Sequence, residues 1–112
     1  MTMTVVVTRD VPDRFRGFLA SVMLEIAPGV YTSPRMSAAV RERVWDVLKD
    51  WWAAAPGSSI VVTWADSAAR GGQAVRSLGT PAVDLCEVEG VFLARREIDI
   101  PKEGDGAPRR TA

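Results

Sequence analysis

The chain has 112 residues, the length of one ordinary domain, and 47% of them are apolar, which is enough for a core without disulfides or metal. Fourteen basic side chains balance fourteen acidic ones, and the chain contains one Cys and no His. This composition excludes zinc sites built from Cys and His, acid–base catalysis by His, and an intramolecular disulfide.

The first half of the chain alternates strand and helix patterns. A β-branched run at residues 3–8 predicts a strand that is covered on both faces. Residues 10–12, Asp-Val-Pro, supply a helix start, and apolar residues at steps of three and four predict one amphipathic helix through Ile26. The Pro-Gly pair at residues 28–29 ends this helix, and residues 30–32 predict a short second strand.

The second half predicts one further helix and then strands alone. Ser37 is the expected N-cap of a helix whose apolar positions reach Trp51 and which the Pro-Gly pair at residues 56–57 stops. Three strands are predicted, at residues 59–65, 73–79 and 90–95. We therefore place one domain at residues 1–96 and a tail, disordered or bound to a partner, at residues 97–112.

The predicted order of elements is β-α-β-α-β-β-β. Two helices on one face of an antiparallel sheet indicate an α+β sandwich of the ferredoxin-like type. The other face is then open, and its β-branched and aromatic residues favour a homodimer in which a second copy covers it. The longest apolar runs have the length of strands, so we expect no membrane segment and a soluble protein of the reducing cytoplasm.

Charge is distributed unevenly along the chain. Residues 1–83 carry nine basic and seven acidic side chains, whereas residues 84–105 carry seven acidic and three basic ones. An arginine-bearing body favours an anionic ligand, and an acidic C-terminal part favours a basic protein partner. The alternative is that Arg is abundant because the source genome is GC-rich.

Arginines at the helix starts are the most informative local feature. Arg14 and Arg16 lie in the first turn of the first predicted helix, where a cation opposes the helix dipole by about 0.3–1 kcal/mol. A phosphate bound at this N-terminus explains both arginines, and the alternative is two solvated side chains. Arg41, with Arg35 nearby in sequence, extends this basic surface unless it pairs with a helical neighbour, and Arg76 is ambiguous in the same way.

Four tryptophans offer a stacking surface for bases, but their positions favour packing. Trp51 falls on the apolar stripe of the second helix, Trp45 and Trp52 border it, and Trp64 lies in a strand. Packing in the core or in a dimer is therefore the preferred interpretation. Cys86 has no basic neighbour in sequence and is interpreted as structural.

Asp10 stands at the corner between the first strand and the first helix, where functional groups are often exposed. One carboxylate is a weak metal ligand, but a two-fold axis near it would pair two copies into a site for Mg²⁺. The alternative is a helix-capping aspartate. No Gly-rich phosphate loop, nucleophile elbow or carboxylate pair of defined spacing is present in the sequence.

One set of motifs runs through residues 3–95 in a single order without large gaps. The motifs are VVVT at 5–8, VP at 11–12 followed by Arg14, Arg16 and Gly17, LE at 24–25, GVY at 29–31, SA at 37–38 with Arg41 and Trp45, VV at 61–62, WA at 64–65, and TPAVDL at 80–85. In these motifs the chain resembles the small CRISPR-associated adaptation proteins, the second Cas family, in their type I-E branch.

The resemblance implies a homodimer of ferredoxin-like fold that lies between two dimers of the CRISPR integrase subunit. In that assembly the protein performs no chemistry on DNA. It is the platform along which the double-stranded DNA prespacer lies, and it helps to set the length of the captured duplex.

The resemblance also implies the residues that contact the DNA backbone, which are Arg14, Arg16 and Arg41. Ala39 stands where a further basic residue is expected, and Leu78 with Gly79 replaces an expected pair of arginines. Arg76 is the expected substitute for that pair. The DNA track is therefore expected to be weaker or to be rerouted through Arg35 or Arg70.

The C-terminal strand region resembles the part of the family that binds the integrase. Its acidic excess suits a basic partner surface. The predicted partner-binding residues are Val91, Phe92 and Leu93 in the strand, with Asp84, Glu87 and Glu89 at the rim.

Many members of the family carry the name endoribonuclease because of a metal-binding aspartate at the end of the first strand. The matching residue is Asp10, which is thus the candidate catalytic and Mg²⁺-binding residue. Arg9 stands where the branch has an acid, and a guanidinium beside a Mg²⁺ site is electrostatically unfavourable. The non-catalytic scaffold is the first hypothesis. The alternative is a Mg²⁺-dependent endonuclease that acts on RNA or double-stranded DNA through a dimeric pair of Asp10. Whether the protein is an enzyme therefore stays open.

Overall fold

A computed structural model describes residues 2–79, 84–95, 97–98 and 110–111. Two helices and nine strands are present in these residues. They are β1 (Thr2–Arg9), α1 (Asp13–Val22), β2 (Leu24–Ala27), β3 (Val30–Met36), α2 (Ala38–Trp52), β4 (Ser59–Ala65), β5 (Gln73–Leu78), β6 (Asp84–Val88), β7 (Val91–Arg95), β8 (Glu97–Ile98) and β9 (Arg110–Thr111).

The main sheet contains five antiparallel strands in the order β2-β3-β1-β4-β5. Its first four strands and the two helices follow one another along the chain as β-α-β-β-α-β, the ferredoxin-like arrangement, and β5 adds one edge strand. The predicted α+β class with a ferredoxin-like sheet is thereby confirmed. β6 and β7 form a separate hairpin, and β8 pairs with β9.

The core lies between the two helices and one face of the sheet. Side chains alternate between the faces of a strand, so every second residue of the central strands is buried against the helices. Val6 pairs with Tyr31 on one side and Val62 on the other, and all three are buried. The cluster is completed by Phe15, Leu19, Met23, Met36, Val44, Leu48, Ile60 and Trp64. Burying each large apolar side chain stabilises the fold by about 1.5–3 kcal/mol.

The first helix ends four residues before the point that its apolar spacing predicts. It stops at Val22, and Leu24–Ala27 forms β2, which pairs with β3. A tight turn at Gly29, with φ at 78°, joins the two strands. The side chain of Ile26, which continues the helical spacing, is exposed, and so is that of Leu24. Backbone pairing with β3 therefore prevails over the helical period of the apolar residues.

β3 continues past the predicted end at residue 32 and includes Pro34. Its pairing with β2 ends at Thr32, so beyond that point β3 has β1 as its one neighbour. A proline, which has no N–H to donate, is tolerated on such a free edge. The turn signal of proline thus marks the end of pairing with β2 and not the end of the strand.

The single strand predicted at residues 90–95 is half of a hairpin. β6 precedes β7, and the two pair from Asp84 with Arg95 to Val88 with Val91. The connecting residues Glu89 and Gly90 have φ of 51° and 85°, which is typical of the two-residue type I′ turn. The strand β6 was not predicted, because it is short and carries acidic residues.

Several further predictions have a clear outcome. Ser37 is the N-cap of α2, and its Oγ accepts a hydrogen bond from the Val40 N–H at 3.2 Å. Pro12 is the N-cap of α1 without a side-chain hydrogen bond, so Asp10 does not cap this helix.

In the described part of the chain, no helix is long and apolar enough to cross a membrane. The boundary at residue 96 stays a prediction, since residues 80–83, 96 and 99–109 lie outside the described ones.

Candidate nucleic-acid interface

Arg14, the second residue of α1, lies on an aromatic cluster between the helices. Its guanidinium carbon is 4.7 Å from the ring centre of Trp51 and 5.8 Å from that of Phe15. Trp51 in turn meets Phe15 and Phe18 edge to face, with ring centres 5.5 and 5.4 Å apart. Arg14 remains exposed. A cation–π contact at an exposed site is worth about 0.5–1 kcal/mol, so the ring orients this cation while leaving its N–H groups open to solvent.

Arg16 lies near the acidic residue of β2. Its Nη2 is 3.8 Å from Oε2 of Glu25, and half of the arginine side chain is exposed. The same Glu25 oxygen accepts a hydrogen bond from the Gly29 N–H at 3.0 Å, which fixes the carboxylate at the β2–β3 turn. An exposed pair at this distance contributes about 0–1 kcal/mol. The ion pair is therefore weak enough for another anion to displace Glu25.

Tyr31 lies beneath this ion pair. Its side chain is fully buried, and its hydroxyl has no hydrogen-bond partner of good geometry in the described residues. Burial raises the pKa of the Tyr31 hydroxyl above its ordinary value, with opposing smaller effects from Arg16 and Glu25. The hydroxyl therefore stays neutral at physiological pH and adds no negative charge beside Arg16.

Arg41 and Arg76 share the indole of Trp64. The guanidinium carbon of Arg41 is 4.1 Å from the Trp64 ring centre, and that of Arg76 is 5.1 Å from it. Arg76 also lies 5.7 Å from the ring of Trp45, and its Nη1 donates to Oε1 of Glu42 at 2.8 Å. This hydrogen bond is the main cause that lowers the pKa of the Glu42 carboxyl below its ordinary value. Two of the predicted DNA-binding arginines are thus brought together on one aromatic side chain.

The remaining predicted cation, Arg35, lies apart from these contacts. It is exposed on β3 and makes no ion pair with any residue that the structure describes. Its assignment to a DNA track stays a prediction, as do those of Arg14, Arg16, Arg41 and Arg76.

Asp10 lies at the corner between β1 and α1 with a left-handed backbone, φ 57°. It lines a cavity together with Thr8, Val11, Arg16, Pro28 and Gly29. Arg16 brings a positive charge into this cavity, and no second carboxylate lines it. Within residues 2–79 and the other described segments, no three His, Cys, Asp or Glu side chains are grouped as metal ligands. Since Mg²⁺ needs several oxygen ligands, the described residues around Asp10 in one chain do not by themselves fit a Mg²⁺ site.

The predicted partner-binding residues all lie in the β6–β7 hairpin. Cys86 pairs with Leu93, and Val88 pairs with Val91, so these four side chains share one face of the hairpin. Val88, Val91 and Leu93 are exposed on it. Glu87 pairs with Phe92 and belongs to the opposite face. The apolar trio predicted from the sequence is therefore divided between two faces, and Asp84 begins the first strand.

The tip of the hairpin is attached to the loop before β5. The Gly71 N–H donates to the Gly90 carbonyl at 3.0 Å, and Arg70 pairs with Glu89 at 2.9 Å. A Cβ at Gly71 would lie 2.9 Å from both Gly90 O and Val91 Cα, so only glycine allows this approach. Glu89, a predicted rim residue, is thus held by Arg70.

The sheet face opposite the helices carries exposed apolar side chains. Met3 and Val7 of β1 alternate with the buried Thr4 and Val6, and they are 52% and 41% exposed. Leu24 of β2, on the same face because it pairs with Thr32, is 66% exposed. These three residues are called the open face below. The face is present as predicted, and the homodimer that would cover it stays a prediction.

Three residues of these sites were missed by the sequence analysis. Glu25 and Val88 were not considered for the interfaces, and Glu42 was considered as a helical neighbour but not as the partner of Arg76. No spacing rule links Glu42 to Arg76, because the two are 34 residues apart in sequence. For Val88, the Glu-Gly pair at residues 89–90, directly before the predicted strand, was the one turn signal that could have indicated a hairpin.

The sequence of residues 3–93 matches the protein family described as CRISPR-associated protein (Cas_Cas2CT1978). The matched segment extends from β1 into β7. It includes Asp10, all five predicted DNA-binding arginines and the residues of the open face.

Proposed function

The chain belongs to this family of Cas2-type CRISPR-associated proteins, and we propose that it is a non-catalytic, DNA-binding scaffold of spacer acquisition. In this role it bridges dimers of the CRISPR integrase subunit in the cytoplasm and holds the prespacer duplex. Its contacts to DNA are made to phosphates, so binding is tolerant of sequence and strongly dependent on salt.

The observation that carries the proposal is how the arginines are held. Arg14 lies exposed on the Trp51 ring, Arg16 is in a weak exposed ion pair, and Arg41 lies on Trp64. All three belong to the helix layer, and no carboxylate binds any of them at short distance among the described residues. Rings that orient a guanidinium without neutralising it leave its charge available for a phosphate.

The hairpin supports the proposed contact with the integrase. Its exposed Val88, Val91 and Leu93 provide an apolar strip on one face, the exposed Glu87 lies on the opposite face, and Glu89 at the tip is paired with Arg70. An exposed apolar strip of this kind suits a partner that offers an apolar groove, and Glu87 adds negative charge for basic side chains of that partner.

The open face supports the proposed homodimer. Met3, Val7 and Leu24 form an exposed apolar surface on a sheet whose other face is filled by the helices. A second copy placed about a two-fold axis would bury these side chains against the same residues of its partner. Each dimer would then present two copies of the arginine-bearing helix layer to one duplex.

The proposed function is tested by mixing the protein with the integrase of the same genomic neighbourhood and a short DNA duplex. Size-exclusion chromatography with light scattering then compares the wild type with Arg14→Ala/Arg16→Ala. We expect the wild type to enter a large assembly that contains DNA, and the double variant to join the integrase but lose the DNA. Lys49→Ala, which removes a cation already paired with Asp46 on α2, is the matched control and should retain DNA.

The same experiment separates the scaffold from the nuclease alternative. A scaffold that performs no chemistry leaves the duplex intact with Mg²⁺ present, and Asp10→Ala should leave both assembly and spacer acquisition unchanged. Cleavage that Asp10→Ala abolishes would refute the non-catalytic role. A wild type that elutes as a free dimer, with the duplex eluting alone, would refute the scaffold.

A further inference from the structure

Arg76 is already bound to protein groups. Its Nη1 donates to Glu42 at 2.8 Å, and its guanidinium carbon lies 5.1 Å from the Trp64 ring and 5.7 Å from the Trp45 ring. About a third of the Arg76 side chain is exposed, against about half of the Glu42 side chain. Glu42 therefore already compensates the Arg76 charge, which weakens its attraction for a DNA phosphate.

Arg41, in contrast, forms no ion pair with any carboxylate among the described residues. Its Nε is buried and has no hydrogen-bond partner in the described residues, and its guanidinium lies on the same Trp64 ring at 4.1 Å. Asp66 lines the same cavity as Arg41, but its Oδ1 accepts from the Ala68 N–H at 3.0 Å, and it forms no ion pair with Arg41. A buried donor without a partner is costly unless a ligand supplies the acceptor.

The charge of the Glu42 carboxylate acts on any phosphate that approaches Arg41. It follows Arg41 directly in α2, and adjacent helical residues point in different directions, so the two do not pair with each other. Without Arg76, the Glu42 carboxylate would be a free negative charge beside Arg41 and would repel a phosphate. With Arg76 bound to it, the group of Arg41, Glu42 and Arg76 has a net charge of +1.

We propose that Arg76 is a positioning residue for Arg41: it neutralises Glu42 and shares the Trp64 ring, so that Arg41 presents its charge to a phosphate of the duplex. Arg76 itself makes no contact with DNA. This inference rests on the proposed function, because it needs a duplex bound at the helix layer. It gives Arg76 a role through Glu42 in place of the direct contact predicted from the sequence.

The test is a double-mutant cycle on binding of a short fluorescent duplex, measured by anisotropy at several salt concentrations. The variants are Arg76→Gln, Glu42→Gln and the double variant Glu42→Gln/Arg76→Gln. We expect Arg76→Gln to weaken binding by about two- to fivefold, the range of an exposed ion pair. The double variant should bind within about twofold of the wild type, because no free carboxylate remains beside Arg41.

The salt dependence gives a second readout that a merely structural role would not move. Each phosphate contact adds about 0.9 to the slope of log K against log salt. The double variant is therefore expected to keep the wild-type slope, since Arg76 neutralises no phosphate. A double variant that binds as weakly as Arg76→Gln, with a slope smaller by about 0.9, would show a direct contact and overturn the inference.

Further variants keep the test decisive. Glu42→Gln alone should bind as tightly as the wild type or slightly more tightly, and weaker binding would overturn the inference even if Arg76→Gln failed to fold. In an Arg41→Ala background, Arg76→Gln should have no further effect. Lys49→Gln removes an equal charge from a paired cation of the same helix and is the matched control, expected to bind as the wild type does. If the wild type binds the duplex but the double variant binds no better than Arg76→Gln, this inference alone is refuted. A wild type that binds no duplex refutes the proposed function as well.

Discussion

The two faces of the five-stranded sheet differ in what covers them. The helix-covered face buries Val6, Tyr31 and Val62 completely or almost so, whereas Met3, Val7 and Leu24 on the open face remain about half exposed. The strands supply similar β-branched residues to both faces. Burial here is therefore decided by the helices and not by the composition of the strands, and no described residue of the same chain covers the open face.

Charge is also divided between regions of the molecule, in this case between the helix layer and the β6–β7 hairpin. The helix layer carries Arg14, Arg16 and Arg41 on its outer side, while the hairpin beyond β5 carries Glu87 and Glu89 beside exposed apolar residues. Three surfaces of one small domain thus offer three chemistries: cations, an acidic apolar strip and an uncharged apolar face. This separation suits a protein that contacts DNA, a second protein and its own copy at the same time.

The largest effect is expected from a charge placed on the open face. Val7→Asp should convert the proposed dimer into monomer, because an unpaired carboxylate buried in the interface destabilises it by about 3–5 kcal/mol, more than a hundredfold in dissociation constant. Light scattering over a dilution series measures this. Val40→Asp on α2, where Val40 has similar exposure, is the control and should leave the molecular mass unchanged. A wild type that is monomeric at all concentrations would refute the dimer.

The next effect concerns the helix-covered face. Leu48→Ala should lower the free energy of unfolding by about 2–5 kcal/mol, since Leu48 is fully buried and its removal leaves a cavity. Urea denaturation measures the loss. Leu24→Ala on the open face is the matched substitution, and its effect should grow with protein concentration, because a second copy supplies the burial. Equal losses at all concentrations for the two variants would contradict the distinction between the faces.

A smaller effect concerns the charged surfaces. Glu25→Gln should tighten duplex binding by about 1.5- to fivefold, because Arg16 loses its competing carboxylate, while the Gln oxygen can still accept from the Gly29 N–H. Anisotropy titration measures the change. Glu89→Gln removes an equal charge from the hairpin, where Glu89 pairs with Arg70, and should leave duplex binding unaltered. Weaker binding by Glu25→Gln would argue that the ion pair orients Arg16 for DNA.

The smallest effect is a pH dependence of stability at the edge of the helix-covered face. The pKa of the Glu42 carboxyl is held below its ordinary value of 4.5 by the hydrogen bond from Arg76. The unfolded chain therefore takes up this proton first as pH falls. The stability from the Arg76–Glu42 pair is fully present above about pH 4.5 and is lost as pH falls through the lower pKa of the folded state.

Thermal unfolding of the wild type and of Glu42→Gln at a series of pH values measures this contribution. The difference between the two should be largest near neutral pH and should vanish in acid. It is expected to stay below about 1 kcal/mol, because the pair is partly exposed. In the Arg76→Gln background, Glu42→Gln should no longer produce a pH-dependent change in stability. If the stability difference between the wild type and Glu42→Gln persisted in acid, the effect would come from packing and not from the ion pair.

Much of the fold could be predicted from short-range patterns. The strand at residues 59–65 has the bounds of β4, and Ser37 caps α2 as its position predicts. The errors occur where a local sequence pattern conflicts with pairing between residues farther apart in the chain. The helical spacing of apolar residues continues to Ile26, yet residues 24–27 form a strand that pairs with β3. Residues 84–88 became recognisable as a strand only with a partner across the Glu89 turn.

The candidate site was predictable to a smaller extent. The start of the first helix pointed to Arg14 and Arg16, because cations at a helix N-terminus conflict with the dipole unless an anion is near. Arg41 was added as an extension of this basic surface and by the family resemblance. What each arginine touches could not be predicted, since Trp51, Trp64 and Glu42 come to them from other parts of the chain.

The sequence by itself determined the fold class, the two helices and most of the strands, and it supplied the candidate phosphate-binding residues. These follow from periodicity, caps, turns and the kinds of charge present, which are local properties of the chain. Only the tertiary structure decided which face of the sheet is open, that Leu24–Ala27 is a strand, and that Arg76 binds Glu42 while Arg41 stays without an anion. Those outcomes depend on pairing and packing between residues far apart in sequence, and the free energy of such contacts exists only once the chain has folded.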